Sequence, residues 1–530
     1  MFWAEEVAAQ AKDRYAEKIK KGEKLIIRDE KTLSGRVHVG SLRGVVIHGI
    51  IAEVLAEQGI ACEYFFELND FDPMDGLPVY LDKEKFAPYM GKPLLEVPSP
   101  DGTAKNFPEY FGNEFTKVIS ELGFTPTYYR SSEVYKSGRY NPFIKLAIEH
   151  AADIRRIYQE VSGSKKTDEW LPLNVICPQC GKVGTTRASD FDGATVAYTC
   201  GDYVDWAKGC GSAGRVSPYD GNAKLPWKVE WAAKFSVMNV DIEGGGKDHS
   251  TKGGSREIAD TISREVFNRI PPINVPYEFF VVGGKKMSSS KGSGSSSREV
   301  ADLLPPHIAR FLIAYKEPLR VIDFQPDGDT IPLLYDFYDK YAENYFSGNT
   351  DDFAKVFALA HSKEERAHLA ELKNVFRPRF SLIAFLVQMP HMDIVKEVEK
   401  MAGRPLTDAD KKEVELRARY ARLWLDKHAP ENYLYKIQAD VPALASEFTD
   451  LQKAALKNLL EYVKSVPALD GQELHTKLHS LKEEVKIEPK ALFEAIYVSV
   501  LGKKSGPKAG WFLSVLDKKF LETRLEEVSR

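Results

Sequence analysis

An α/β domain on a parallel sheet, interrupted by a small cysteine-bearing module and followed by an all-α C-terminal domain, is predicted by three observations. Short apolar runs alternate with helix-spaced apolar patterns from about residue 22 to 160 and again from 227 to 300. Four of the five cysteines, Cys177, Cys180, Cys200 and Cys210, fall between those stretches. After residue 330 the pattern is helical almost throughout, with capping boxes at Ser362-x-x-Glu365 and Thr407-x-x-Asp410 and little Gly or Pro between 407 and 465.

The first element is a short apolar run, Lys24 to Arg28, suited to a buried parallel strand. Leu42, Val45, Val46, Gly49, Ile50 and Val54 then recur at helical spacing until Gly59. The turn between them, Ser34-Gly35-Arg36-Val37-His38-Val39-Gly40-Ser41, therefore opens a helix. Unpaired N–H groups and the positive dipole end at such a helix start suit an anion. Gly35 and Gly40 let the backbone approach it closely, and His38 can donate to a phosphate oxygen. That outlines an ATP site, although a plain strand-to-helix turn with a surface histidine would account for this motif alone.

Much later the chain reads Lys285-Lys286-Met287-Ser288-Ser289-Ser290-Lys291-Gly292. Three lysines flanking three serines can close over a polyphosphate with cations and hydroxyl donors. A Ser/Gly linker is the bland reading, and Gly292 to Ser297 encourages it, but a linker requires neither Met287 nor the lysines. Between the two motifs, Gly244-Gly245-Gly246-Lys247-Asp248-His249 follows an expected strand and precedes Gly253-Gly254-Ser255. Such a turn suits close approach to a ribose, with Asp248 accepting from its hydroxyls.

The cysteines read Cys177-x2-Cys180 and Cys200-x9-Cys210. This spacing fits a knuckle in which four thiolates surround zinc tetrahedrally, and Gly181 and Gly211 follow ligands where tight turns are needed. Disulfides are the alternative, disfavoured in a cytosolic chain. Four thiolates leave no open position, so a structural role is expected. Cys62, in a second strand, reads as a core residue.

The chain has 530 residues, 43% of them hydrophobic and 11% aromatic, which is ample for several cores. No stretch reads as long and apolar enough to cross a bilayer, and the N-terminus lacks the order of a signal peptide. A cytoplasmic location without a membrane partner is therefore expected. With 73 basic and 77 acidic residues the net charge is −4, so any nucleic-acid surface must be local. Candidates are Lys18, Lys20, Lys21 and Lys24; Arg417, Arg419 and Arg422 beside Trp424; and Lys503, Lys504 and Lys508 beside Trp511. Each could equally be a solvated face.

The ordered pair of a His-x-Gly turn and a Lys-Met-Ser-Ser-Ser loop resembles the two signatures of class I aminoacyl-tRNA synthetases. Arg43-Gly44, Asn69-Asp70-Phe71-Asp72-Pro73, Gly91-Lys92-Pro93-Leu94, Trp227-Lys228-Val229-Glu230-Trp231, Gly246 to His249, Met287 to Gly292, Ile322-Asp323-Phe324 and Gly506 to Gly510 narrow the likeness to the class I lysyl type. The match is dense from residue 24 to 325 and thin from 350 to 500. Two departures stand out: Ser41 occupies the place of a second histidine, and Lys285-Lys286 replaces a glycine-rich lead-in.

The resemblance implies a Rossmann-like (HUP-type) catalytic domain over 1–164 and 223–303, with the zinc module inserted at 165–222. It also implies a linking helical unit at 304–349 and an all-α anticodon-binding domain at 350–530. The implied reaction joins lysine to tRNA(Lys) through a lysyl-adenylate, with ATP and Mg²⁺. His38, Gly40, Ser41, Lys286, Ser288, Ser289, Ser290 and Lys291 would be catalytic. Gly35, His38, Gly40, Gly246, Asp248, His249 and Lys286 would hold ATP. Thr32 and Tyr277 would line the amino-acid pocket, with Asp70, Trp227 and Trp231 as further candidates. Glu30, Glu67 and Asp72 are additional carboxylates for an ammonium. The working unit is read as a monomer, though the sequence leaves oligomeric state open. A glutamyl- or cysteinyl-type enzyme, a catalytically silent tRNA-binding relative and a non-tRNA nucleotidyltransferase remain as alternatives.

Overall fold

Five parallel strands organise the first half of the molecule, in a computed structural model that describes residues 2–284, 295–389 and 392–530. In chain order the elements around the sheet are β1 (Leu25–Thr32), α1 (Leu42–Glu57), β2 (Cys62–Asn69), β3 (Thr127–Arg130), α2 (Trp227–Val237), β4 (Ile242–Gly246), α3 (Ser255–Glu265) and β5 (Ile273–Tyr277). The sheet order is β5-β4-β1-β2-β3, with Leu25 opposite Cys62 and Arg28 opposite Glu243. The chain thus fills the sheet outward from β1 in one direction and then in the other. In such sheets the crevice at the reversal, beyond the carboxyl ends of β1 and β4, is where ligands bind.

Helix α1 explains how the crevice is roofed. It is apolar on nearly every side, and Val45, Val46, Ile50, Ile51 and Leu55 are all buried. Against the sequence expectation, the segment Val39–Glu57 is long and apolar enough to cross a membrane, but 72% of that window is buried inside the protein. It is therefore a core helix. Its Gly49 lies under Phe124, where an added Cβ would sit 2.3 Å from the ring.

Strand β4 is equally tight. A Cβ on Gly244 would lie 2.0 Å from the Val275 carbonyl oxygen of β5, so no side chain fits without separating two paired strands. Gly244→Ala is expected to cost about 1–3 kcal/mol of stability, the range for overpacked cores. Urea denaturation would read this as a lowered midpoint at unchanged slope.

The module between α/β segments is closed at its neck by Asn174–Val175 pairing antiparallel with Ala223–Lys224. Inside it, strands Thr186–Phe191, Val196–Cys200 and Ala213–Val216 form a three-stranded antiparallel sheet. Two compact units are distinguishable. The first is Met1–Phe324 with Tyr341–Leu369, so residues 350–369 belong to it; the second is Gln325–Lys340 with Ala370–Arg530.

The second unit is helical, with Asp408–Lys427, Asp450–Ser465, Gly471–Val485, Pro489–Leu501 and Lys518–Ser529 as its longest helices after residue 400. Both predicted capping boxes form, at Ser362 with Glu365 in the first unit and at Thr407 with Asp410 in the second.

Candidate active site

A cavity of about 350 Å³ opens at the carboxyl ends of β1, β4 and β5, where the strand order reverses. Its rim is the turn after β1. His38 is extended there, Val39–Ser41 form one 3₁₀ turn, and α1 follows without a side-chain cap from Ser41. The Val39, Ser41 and Leu42 N–H groups already bond backbone carbonyls, so what the helix start offers an anion at the cavity is chiefly its positive dipole end. Opposite, the β4 turn brings Gly246, Asp248 and His249 to the same space. An added Cβ on Gly246 would come 2.8 Å from Asp248 Oδ1, so the turn is drawn tight around that carboxylate.

Beneath the cavity lies a buried charge network. Arg28 donates to Glu243 at 2.7 Å, to Glu67 at 2.5 Å and to Glu30. Lys234 of α2 reaches Glu30 at 2.7 Å and Glu67 at 2.8 Å. Lys224 pairs with Asp72 at 3.0 Å and with Glu230. Five carboxylates therefore face three cations.

Electrostatics divides the acids accordingly. Burial alone would raise Glu67 and Glu30, but Lys234 and Arg28 override it and hold both below the ordinary carboxylate range. Glu243 and Glu230 go the other way, because burial outweighs their cations and pushes them up. Glu243 accepts from Arg28 and from Trp231 Nε1 on Oε1, while its buried Oε2 has no hydrogen-bond partner among the described residues. Trp231 and Tyr277 line the walls above it, and Trp227 stacks on Trp231 with ring centroids 5.7 Å apart.

The model of the family described as tRNA synthetases class I (K) matches residues 1–372, and that of an anticodon binding domain matches 430–529. The chain belongs to the class I tRNA synthetases. A lysine–tRNA ligase of Methanosarcina barkeri is 32% identical over 100% of this chain and 98% of its own. One from Archaeoglobus fulgidus is 30% identical over 99% of each. A solved glutamate tRNA ligase from Elizabethkingia meningosepticum aligns over 96% of this chain and 99% of its own at 13% identity, with a TM-score of 0.42.

In this synthetase, Thr32, His38, Gly40, Ser41, Trp227, Trp231, Gly246, Asp248, His249 and Tyr277 all line the one cavity. Gly35 does not line it; it sits in the preceding turn with φ 151°. Asp70 does not line it either. Its carboxylate faces the start of the Ser131–Lys136 helix, accepting from the Ser132 N–H at 2.9 Å and the Ser132 hydroxyl at 2.7 Å. Lys286, Ser288, Ser289, Ser290 and Lys291 lie outside the described residues. The flanks of that segment are described. The Val39 N–H donates to the Ser295 carbonyl at 3.1 Å and the Ser297 N–H to Val37 at 2.8 Å, so the chain leaving the late signature is tied to the first one.

Sequence reasoning missed Asp29, Lys234 and Glu243. Each looks like an ordinary solvated charge until strand pairing sets Arg28 against Glu243.

The four cysteine sulfurs lie within 4.8 Å of one another, with Cys177 to Cys210 and Cys180 to Cys200 both at 3.7 Å. A tetrahedral Zn²⁺ with bonds of about 2.3 Å sets its sulfurs about 3.8 Å apart, so the cluster fits zinc, and all four cysteines are free thiols. Gly181 and Gly211 adopt φ values of 71° and 78°, the tight turns the spacing calls for.

Of the basic patches, Lys18 is tied to Asp241 at 2.5 Å. Arg417 and Trp424 are fully buried: Arg417 binds Asp339 and Glu413, and Trp424 Nε1 donates to the Pro326 carbonyl. They hold the second unit together and offer nothing to tRNA. Lys508 and Trp511 instead line a 340 Å³ cavity with Arg379, Tyr433 and Tyr435.

Proposed function

We propose that this chain attaches lysine to tRNA(Lys) in two ATP-dependent steps. The lysine carboxylate attacks the α-phosphorus of ATP, releasing pyrophosphate and leaving a lysyl-adenylate. The 2′-hydroxyl of the terminal ribose of tRNA then attacks the activated carbonyl, and AMP departs. Neither step requires a protein nucleophile; positioning and charge stabilisation carry the rate.

The observation that carries lysine as the substrate is the acid-rich floor of the cavity. Glu243 presents there a buried carboxylate oxygen without a partner among the described residues, and the described network around it has fewer cations than carboxylates. A lysine ammonium supplies that charge, while Trp231 and Tyr277 flank its methylene stem. A glutamate side chain would meet repulsion, and cysteine would leave the carboxylate unpaired.

His38 and the helix start at Gly40 and Ser41 take the phosphates, and Asp248 with His249 the ribose. Lys286 and Lys291 serve the leaving pyrophosphate, and Ser288 to Ser290 complete that loop. Mg²⁺ comes with ATP, held mainly by phosphate oxygens and water. Zn²⁺ on the four cysteines is structural. The helical second unit binds the anticodon arm, with the Trp511 cavity offering aromatic faces and cations for a base. All these groups lie on one chain, so a monomer in the cytoplasm suffices.

ATP–pyrophosphate exchange with each of the twenty amino acids, with and without total tRNA, tests the reading. Exchange with lysine alone is expected. Exchange with glutamate or cysteine would replace the amino acid, and none with any would leave a silent tRNA-binding protein.

A further inference from the structure

Arg43, on the first turn of α1, is only 1% exposed, yet the hydrogen bonds it makes among the described residues all go to backbone carbonyls. Its Nη2 donates to three carbonyls of one loop, those of Glu317 at 3.1 Å, Pro318 at 2.8 Å and Arg320 at 2.5 Å. Nη1 reaches the Phe279 carbonyl at 3.5 Å. Glu278 acts on it electrostatically but is itself paired with Lys247 at 2.7 Å. Burial lowers the guanidinium to about 10, which leaves it charged at neutral pH.

Two of these carbonyls already stitch one wall of the active cavity to that loop. Pro318 accepts the Glu278 N–H at 2.8 Å, and Phe279 accepts the Ile322 N–H at 3.1 Å. Beyond them Phe280–Val282 pairs in parallel with Ile322–Phe324. Glu278, Phe279 and Phe280 line the cavity, whereas Arg43 stands behind them and does not. The same wall lies against the first signature, since a Cβ on Gly40 would be 3.6 Å from the Phe280 carbonyl oxygen. A buried charge without an acid is a costly way to fill a core. What a guanidinium supplies that an apolar side chain cannot is a planar fan of donors for several carbonyls at once.

We propose that Arg43 is a positioning residue for ATP: it holds the Glu278–Phe280 wall at a fixed distance from the first signature and so sets the width of the nucleotide's part of the cavity. The inference rests on the reaction above, in which the turn from His38 to Ser41 takes the phosphates. Arg43 acts through backbone carbonyls and touches neither substrate. The groups assigned to lysine are held by other means. Glu243 of β4 is fixed by Arg28 and by Trp231 of α2, and Tyr277 by its pairing with Gly246. Loss of the Arg43 fan should therefore weaken ATP and spare lysine.

The test compares wild type, Arg43→Met and Arg43→Lys in equilibrium dialysis with ATP and in ATP–pyrophosphate exchange with tRNA present. A hydrogen bond from a charged group is worth about tenfold or more in an equilibrium constant. Arg43→Met is expected to raise the Kd and KM for ATP by about that factor and to leave the lysine KM nearly constant. Arg43→Lys keeps the charge without the planar fan, and should recover only part of the loss. A merely weaker fold would lower the active fraction, and with it the rate, while both KM values stayed as they were. Pro318→Gly loosens the loop from its own side with Arg43 in place. It should shift ATP alone in the same direction, and it carries the test if neither Arg43 variant folds. Unchanged ATP affinity in the folded variant that carries the test, or an equal weakening of lysine, would overturn the assignment. Wild type that binds ATP but shows no lysine-dependent exchange would sink the functional reading instead, and the dialysis arm would still decide the role of Arg43.

Discussion

Lys234→Met is expected to destabilise the first unit by about 3–5 kcal/mol, the usual result of removing one partner from a buried ionic cluster. Methionine fills similar volume, so the loss is electrostatic. Lys234 is 2% exposed and holds Glu30 and Glu67 directly, with Glu230 3.9 Å away. Arg28 remains, but it already serves Glu30, Glu67 and Glu243.

The pH dependence identifies the cause. In wild type Glu67 sits below its ordinary value, so its contribution is present above the unfolded pKa of about 4.3 and is lost as pH falls through the folded one. In the variant the abandoned carboxylates are raised by burial and bind protons more tightly folded than unfolded, so they lose stability as pH rises. The gap between the two proteins should therefore be widest near neutral pH and close on acidification. Urea titrations at several pH values would show it. A gap independent of pH would mean that packing, and not charge, accounts for the loss.

The same cluster marks where sequence reasoning stopped. The strand from Lys24 was readable as buried because Leu25, Ile26 and Ile27 are apolar, and so was α1 from its spacing. The cysteines were readable because metal geometry constrains their spacing. Arg28, by contrast, ends an apolar run and looks like the return to solvent, yet it is fully buried. Only the β1–β4 pairing, across more than two hundred residues, supplies its partner Glu243. Long-range pairing leaves no local trace.

Arg417 and Trp424 mislead for the opposite reason. Seven residues apart on one helix, they share a face, and a basic residue beside an aromatic one suggests nucleic acid. In the fold that face turns inward, where Asp339 supplies the carboxylate. What the sequence could not supply was which face the neighbouring helices cover.

Glu243→Gln is expected to raise the KM for lysine by about a hundredfold, roughly 3 kcal/mol, within the range for truncating a buried charge pair. The KM for ATP should stay nearly constant. In wild type the Oε1 of Glu243 is committed to Arg28 and Trp231, leaving Oε2 for the ligand. A glutamine must keep its one oxygen toward those two donors. Its amide N–H₂ then points at the ammonium, replacing attraction by donor against donor.

Acidification should imitate the substitution. Burial pushes Glu243 up from the usual carboxylate value even with Arg28 beside it, so in the free protein it takes up a proton at higher pH than an exposed glutamate. Lysine affinity in wild type should accordingly begin to fall above the ordinary carboxylate range, while the variant, with nothing to titrate there, should lack that limb. Lysine KM in exchange assays from pH 5 to 8 separates the outcomes. A variant with wild-type lysine KM would move the ammonium to Asp29 or Glu30, the other carboxylates at that end of the cavity. Since Glu30 is held ionised by Lys234 and Arg28, a site there would carry no such acid limb in either protein.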